Sequence, residues 1–208
     1  MNEEQAVLDF FAKKENLPLG LSVAEQMDEI RAQINSRFWK SLQQRISDQH
    51  TSAWIAETIE DRNAAGVLVG LQCRMAEPQS LFLFPMLEQQ YLGGSWRIFF
   101  GLMWNTPSKQ DQLSLPAVVA LKQVLADAGF KANENFLAWQ WTNFYPRRSD
   151  FLLRYTRNPE KLLDEIEFIF KTLLTNNGKL VEQANTSLKN APRTLTISLD
   201  HLHKKHSS

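Results

Sequence analysis

The chain has 208 residues, with 23 lysines and arginines against 23 aspartates and glutamates, so no whole-protein field draws it to DNA or anionic lipid. Hydrophobic residues at 43% and charged residues at 22% exclude disorder, which needs low hydrophobicity with a large net charge. A single cysteine, Cys73, excludes an internal disulfide and a Cys-x-x-Cys metal site, and its apolar neighbours suit a buried thiol. No apolar segment approaches the ~20 residues that a membrane helix needs. The acidic N-terminus lacks the basic start and apolar stretch of a signal peptide. The expectation is one cytoplasmic domain over residues 1–190, helical over 1–62 and mixed over 63–190, with no membrane partner and a tail over 191–208.

Residues 3–15 predict a short helix with Val7, Phe10 and Phe11 on one side. Pro18 disfavours helical geometry at Leu17 and ends it. Ser22 and Glu25 have the spacing of a capping box, in which each side chain satisfies an orphan backbone N–H. Behind the box, Val23, Met27, Ile30, Ile34, Phe38, Leu42 and Ile46 keep helical spacing, the clearest helix in the chain. A further short helix carries Trp54, Ile55 and Ile59.

The period then changes. Residues 66–75 suit a strand, and residues 80–90 suit another, with Pro85 pointing to an edge or a bulge. Tyr91, Leu92, Gly93 and Gly94 form a hairpin turn signal, because paired glycines supply positive φ angles. Trp96, Ile98, Phe100, Leu102 and Trp104 alternate as in a strand. Their neighbours are partly apolar too, which predicts a central strand covered on both faces. Residues 114–128 suit a helix with Pro116 in the first turn and Gly129 as its stop. Residues 135–144 suit an aromatic strand with Phe136, Trp139, Trp141 and Phe144. Asn158 and Pro159 then open a helix whose apolar face runs from Leu162 to Leu174, broken at Asn176, Asn177 and Gly178 before a last segment to Lys189. This order predicts an α+β fold, with N-terminal helices followed by a small mainly antiparallel sheet packed against long helices.

The phosphate-loop, dinucleotide-fold, His-Glu-x-x-His and Gly-x-Ser-x-Gly patterns are all absent. No catalytic residue, metal ligand set or cofactor follows from the motifs. His50 lies between helices, and His201, His203 and His206 lie in the tail, where a solvated terminus explains them. Glu57, Glu60 and Asp61 cluster where a helix gives way to a loop, and Asp164, Glu165 and Glu167 occupy the outer face of the last long helix; solvated helix faces account for both groups. Glu88 and Glu134 border strands and are better candidates for a site, though nothing in the sequence joins them.

The segment 144–157 carries the best positive signal. Guanidinium groups pair with phosphates and aromatic rings stack on bases, so Arg147, Arg148, Arg154 and Arg157 with Tyr145 and Tyr155 form a candidate nucleic-acid site. Arg97 is placed to contribute from the neighbouring strand. The competing reading is structural: Phe151, Leu152 and Tyr155 anchor the segment while the arginines meet nearby carboxylates. The six tryptophans divide in the same way, between core filling and an exposed platform at a strand end.

The stretch from Glu15, Asn16 and Leu17 to Phe38, Trp39 and Lys40 resembles the region that follows the catalytic core in some bacterial PD-(D/E)XK nuclease family proteins. There a helix ending near a Phe-Trp pair precedes a small sheet, with strands similar to residues 81–84 and 96–104. That family's catalysis needs an Asp/Glu-x-Lys pair to hold a divalent metal, and no lysine here has an acidic residue two positions before it. The resemblance therefore implies a non-catalytic accessory or binding domain linked to bacterial DNA processing or defence. Its partner is DNA or RNA, or alternatively another protein or a second copy through an apolar edge near residues 85–94. An enzyme built from scattered carboxylates is the third reading.

Overall fold

The computed structural model of the chain describes residues 2–49, 54–75, 82–90, 96–105 and 110–191. Helix α1 (Glu3–Phe11) is capped by the Asn2 side chain, which accepts the Glu4 N–H. Helix α2 (Leu17–Gln49) follows. Pro18 falls in its first turn, where a missing N–H costs nothing, so the proline expected to end one helix opens the next. Ser22 and Glu25 consequently lie inside α2 and form no capping box.

Strands β1 (Trp54–Asp61), β2 (Ala64–Met75), β3 (Leu83–Gln89), β4 (Ile98–Trp104) and β5 (Phe136–Trp141) pair in sequence order as an antiparallel meander. The helix expected at Trp54, Ile55 and Ile59 is β1, so the helical part ends at Gln49 and not at residue 62. Buried Trp54 and Ala56 alternate there with Ile55 and Glu57, and the long ladder to β2 decides the period. Helices α3 (Gln110–Leu113) and α4 (Pro116–Asp127) separate β4 from β5, and Gly129 ends α4 at φ +85° as expected. After β5 come α5 (Ser149–Arg157), α6 (Pro159–Lys171) and α7 (Gly178–Asn190), the last two joined by a π turn over Thr172–Asn176. Asn158 caps α6 by accepting the Lys161 N–H.

All the packed helices bury one face of the sheet. Leu71, Leu83, Leu87, Phe100, Leu102 and Leu137 share a core with Phe38, Trp39, Leu42 and Ile46 of α2, Leu121 of α4, Ile166 and Phe170 of α6, and Val181 of α7. Cys73 belongs to this core, and burial pushes its thiol pKa up. Trp39 donates its indole N–H to buried Gln89 over 3.1 Å, and Phe38 meets the rings of Phe151 and Tyr155 edge-on. Asn185 of α7 accepts the Phe82 and Leu83 N–H groups and donates to the Leu83 carbonyl, tying α7 to the start of β3.

Asp164 and Glu167 do not sit on a purely solvated face. With Glu160 they surround Arg45 of α2, which donates Nε to Glu167 and Nη1 to Glu160 at 2.7 Å each, and Nη2 to Asp164. Their spacing along α6 puts the three carboxylates on one side of the helix, where α2 crosses it. Burial opposes the charge on Glu167, but hydrogen bonds and charge from Arg45 and Lys171 outweigh it and hold the carboxyl below its ordinary range.

The second face of the sheet has no helix packed on it among the described residues. Strand β4 is interior in strand order, yet Phe99 and Met103 on that face are only half-buried, so it is not covered on both sides. Pro85 lies in interior β3 and not on an edge. The β2 ladder reaches only from Glu88 to Met86, so the residue without an N–H falls where β3 has one neighbour. The expected apolar edge near 85–94 thus starts on an interior strand whose β2 side is unpaired at Pro85, and residues 91–94 lie outside the described residues. The Gly93–Gly94 turn and the tail histidines lie outside the described residues, as does His50.

Three outcomes follow for stability. Arg45→Ala leaves the buried Glu167 carboxylate with Lys171 but without its guanidinium partner and should cost about 2–3 kcal/mol at neutral pH, read by denaturant unfolding. Because the Glu167 pKa is depressed, its contribution is present above the ordinary glutamate range and lost as pH falls through the folded value. The advantage of the wild type over Glu167→Gln should shrink in that acidic window. At Gly101, an added Cβ would press on the Ala138 carbonyl oxygen and stand 2.9 Å from the Trp139 Cα, so Gly101→Ala should lower stability by about 1–3 kcal/mol.

Candidate nucleic-acid interface

The uncovered face owes its character to β4 and β5. In their register Phe99 faces Trp141, Gly101 faces Trp139 and Met103 faces Phe136. The bulge between Leu102 and Met103 lets Leu137 and Ala138 both enter the core while Phe136 and Trp139 stay on the open face. The rings form a connected edge-to-face set: Phe99 lies 5.8 Å from Phe136 and 5.6 Å from Trp141, and Trp139 lies 5.4 Å from Trp141. All four are half-buried. The Trp139 indole N–H has no hydrogen-bond partner among the described residues. Trp39, Trp54 and Trp104, by contrast, belong to the core.

The chain beyond β5 stays against the start of β4. Ile98 N–H donates to the Phe144 carbonyl, and the Thr142 N–H and hydroxyl both donate to the Ile98 carbonyl. This brings Tyr145 beside Arg97. Arg97 donates Nε to the Thr142 carbonyl over 2.6 Å and Nη2 to Asn143, which holds its guanidinium 5.3 Å from the Trp141 ring centre and 5.5 Å from that of Tyr145. Arg148 lies 3.9 Å from the same Tyr145 ring. Among the described residues neither Arg97 nor Arg148 has a carboxylate within 4.0 Å. Lys131 stands over Trp139 at the outer side of β5.

The expected site residues therefore separate. Arg97, Tyr145 and Arg148 come together with the ring set. Arg147 adjoins them, over Trp96 and 3.5 Å from Asp28 of α2. Arg154 turns away to Glu165 at 2.6 Å, and Arg157 shares its groove with Lys161. Tyr155 does not offer a stacking surface: its ring packs on Phe38 and its hydroxyl meets Ser41 at 3.0 Å. The anchoring reading thus holds for the α5 half of the segment. Phe136, Trp139 and Trp141 were legible as an aromatic strand, but their place in the site beside Phe99 was not. The signals, an aromatic 135–144 segment and a β4 apolar at both parities, are shared by buried strands and by strands with one uncovered aromatic face.

Glu88 and Glu134 stand in different places. Glu88 lies in a concavity of about 280 Å³ where the β1–β2 hairpin curls over the open face, together with Glu60, Asp61, Arg62, Phe84 and Met103. Glu134 lines a separate recess beside Trp104 and Lys122. Glu57 pairs with Arg74 across β1 and β2, so the expected acidic cluster sits on a strand and hairpin, not on a helix end. No group of three or more metal-ligating side chains occurs among the described residues, and no helix there is long and apolar enough to cross a membrane.

No family model matches the sequence, and no curated protein or solved structure is detectably similar to it.

Burial raises the Glu88 carboxyl above its ordinary range, Arg62 opposing the rise and Asp61 adding to it. A raised folded pKa gives stability at acidic pH that is lost as pH rises through it. Glu88→Gln should therefore be at least as stable as the wild type at neutral pH, with the difference closing on acidification; melting curves at several pH values read this.

Proposed function

We propose that this chain is a non-catalytic domain that binds single-stranded nucleic acid across the open face of β4 and β5. One observation carries the reading: Arg97 and Arg148, without carboxylate partners among the described residues, flank a connected set of half-exposed rings on an uncovered sheet. Bases stack on aromatic faces whatever their sequence, and guanidinium groups meet the phosphates between them. The antiparallel sheet is a rigid support for such a platform, and its other face is occupied by the core. Trp141 and Tyr145 receive the bases, Arg97 orients both rings, and Arg147, Arg148 and Lys131 face the backbone. Arg154, Arg157 and Tyr155 take no part.

The resemblance to the accessory region of bacterial PD-(D/E)XK nucleases supplies a setting, DNA processing or defence in company with a separate catalytic partner. The absent Asp/Glu-x-Lys pair fits a role in holding the strand and not in cutting it.

Titration with short single-stranded DNA and RNA, read by tryptophan fluorescence and mobility shift at two salt concentrations, tests this. Binding should weaken as salt rises, because phosphate contacts release counterions. Trp141→Ala should weaken it by about 5- to 150-fold, the worth of one stacked base. Arg97→Ala and Arg148→Ala should weaken it and flatten the salt dependence, while Tyr155→Phe and Arg157→Ala leave it unchanged. No binding at low salt, or equal losses at Arg157 and Arg148, would overturn the reading.

A further inference from the structure

The open face of the sheet holds an acid that the ring set leaves unused. Glu88 stands opposite Phe99 in the β3–β4 register, and Phe99 stands opposite Trp141 in the next pair of strands. The carboxylate and the two rings therefore occupy one row across three strands, about 10 Å from end to end at the usual strand spacing. Glu88 and Gln72 line the concavity beneath the curled β1–β2 hairpin, over a floor of Val69, Phe84, Met86 and Met103. Val69 and Met86 are buried there, apart from the main core. Met103 also faces Phe136 across β4 and β5, so the wall of the concavity is continuous with the aromatic platform.

The polar groups of the concavity are not equivalent. Glu60 accepts the Gly66 N–H and Asp61 the Asn63 N–H, so both shape the hairpin. The Glu88 and Gln72 side chains make no hydrogen bond or ion pair among the described residues. Burial raises the Glu88 carboxyl, as befits a carboxylate short of donors. Gln72 lies diagonal to Glu88 across β2 and β3, within reach of one shared ligand. Carboxylates at the rim repel a phosphate, but not the uncharged edge of a base. The volume of about 280 Å³ falls just below the ~300–1,000 Å³ of clefts that take whole small molecules, and suits one flat ring system. Among the four bases only guanine sets two N–H donors side by side, N1–H and the N2 amino group, next to the O6 acceptor. Two carboxylate oxygens and one amide N–H complete that edge. We propose that the concavity selects guanine in the bound strand, Glu88 accepting from N1–H and the N2 amino group while Gln72 donates to O6. The base lies along Phe99, and its phosphates stay with Arg97 and Arg148. Base selection of this kind rests on the β4–β5 face binding a single strand, and adds to it.

The test is a fluorescence titration of the full chain with oligothymidine strands that carry one central guanine, adenine or cytosine, or none. One guanine should tighten binding by about 5- to 150-fold, the worth of one bidentate contact to a base. Hypoxanthine at the same place lacks the N2 amino group and should lose most of that gain. The analogue 7-deazaguanine keeps the whole donor edge and should keep the gain. Within each variant, the ratio of guanine-strand to oligothymidine affinity separates selection from general weakening. Glu88→Gln replaces one acceptor by a donor and should bring the ratio near one; Gln72→Ala should lower it. Trp141→Ala should weaken every strand. Equal binding of all four strands, or a guanine preference that survives Glu88→Gln, would overturn the base pocket and leave the platform standing. Absence of binding to any strand at low salt would remove both.

Discussion

The contact between the second half of α2 and the inner face of the sheet is the constraint from which the other features descend. Phe38, Trp39, Leu42 and Ile46 cross β1 and β2, and the remaining helices pack around that line. A meander of five antiparallel strands offers two faces, and one layer of helices covers only one. Trp39 reaching Gln89 and Arg45 drawing three α6 carboxylates toward α2 fasten the covered side. Of the three carboxylates only Glu167 is buried; Glu160 and Asp164 are exposed, where an ion pair adds little net stability.

Covering one face leaves the other to its own chemistry. Solvent-facing strands ordinarily carry polar side chains, and the β1–β2 end does so with Glu57, Arg74 and Gln72. The β4–β5 end carries aromatic rings instead, ordered edge to face and bounded by arginines. The rings are half-buried against one another, and no described element covers them. The polar and aromatic ends also differ in charge, which would direct a polyanion toward Arg97 and Arg148 and away from Glu60 and Asp61.

The first half of α2 poses the same question in a helix. Its apolar stripe extends past the body of the domain, so the burial that stabilises the second half of α2 is missing from the first. Long helices owe most of their stability to packing, and the first half of α2 has an apolar stripe without a packed partner among the described residues.

Much of the scaffold was legible in local chemistry. The seven apolar positions from Val23 to Ile46, the alternation through β4, Pro116 and Gly129 around α4, and the Asn158 cap of α6 each act through their own backbone, so spacing alone exposes them. The candidate site was half legible: Arg97, Tyr145 and Arg148 could be named from composition, but the turn that gathers them could not. Tyr155 and Arg154 looked equivalent to those residues in one dimension. Only α5 packing against α2 and α6 sends Tyr155 to Phe38 and Arg154 to Glu165. The sequence by itself determined which segments are helices and strands wherever a strong period repeats. Tertiary structure alone decided that Trp54 to Asp61 is a strand, that Glu167 is buried against Arg45, and which aromatic face stays open. Those outcomes depend on neighbours distant along the chain, and no local pattern encodes where a distant neighbour will stop.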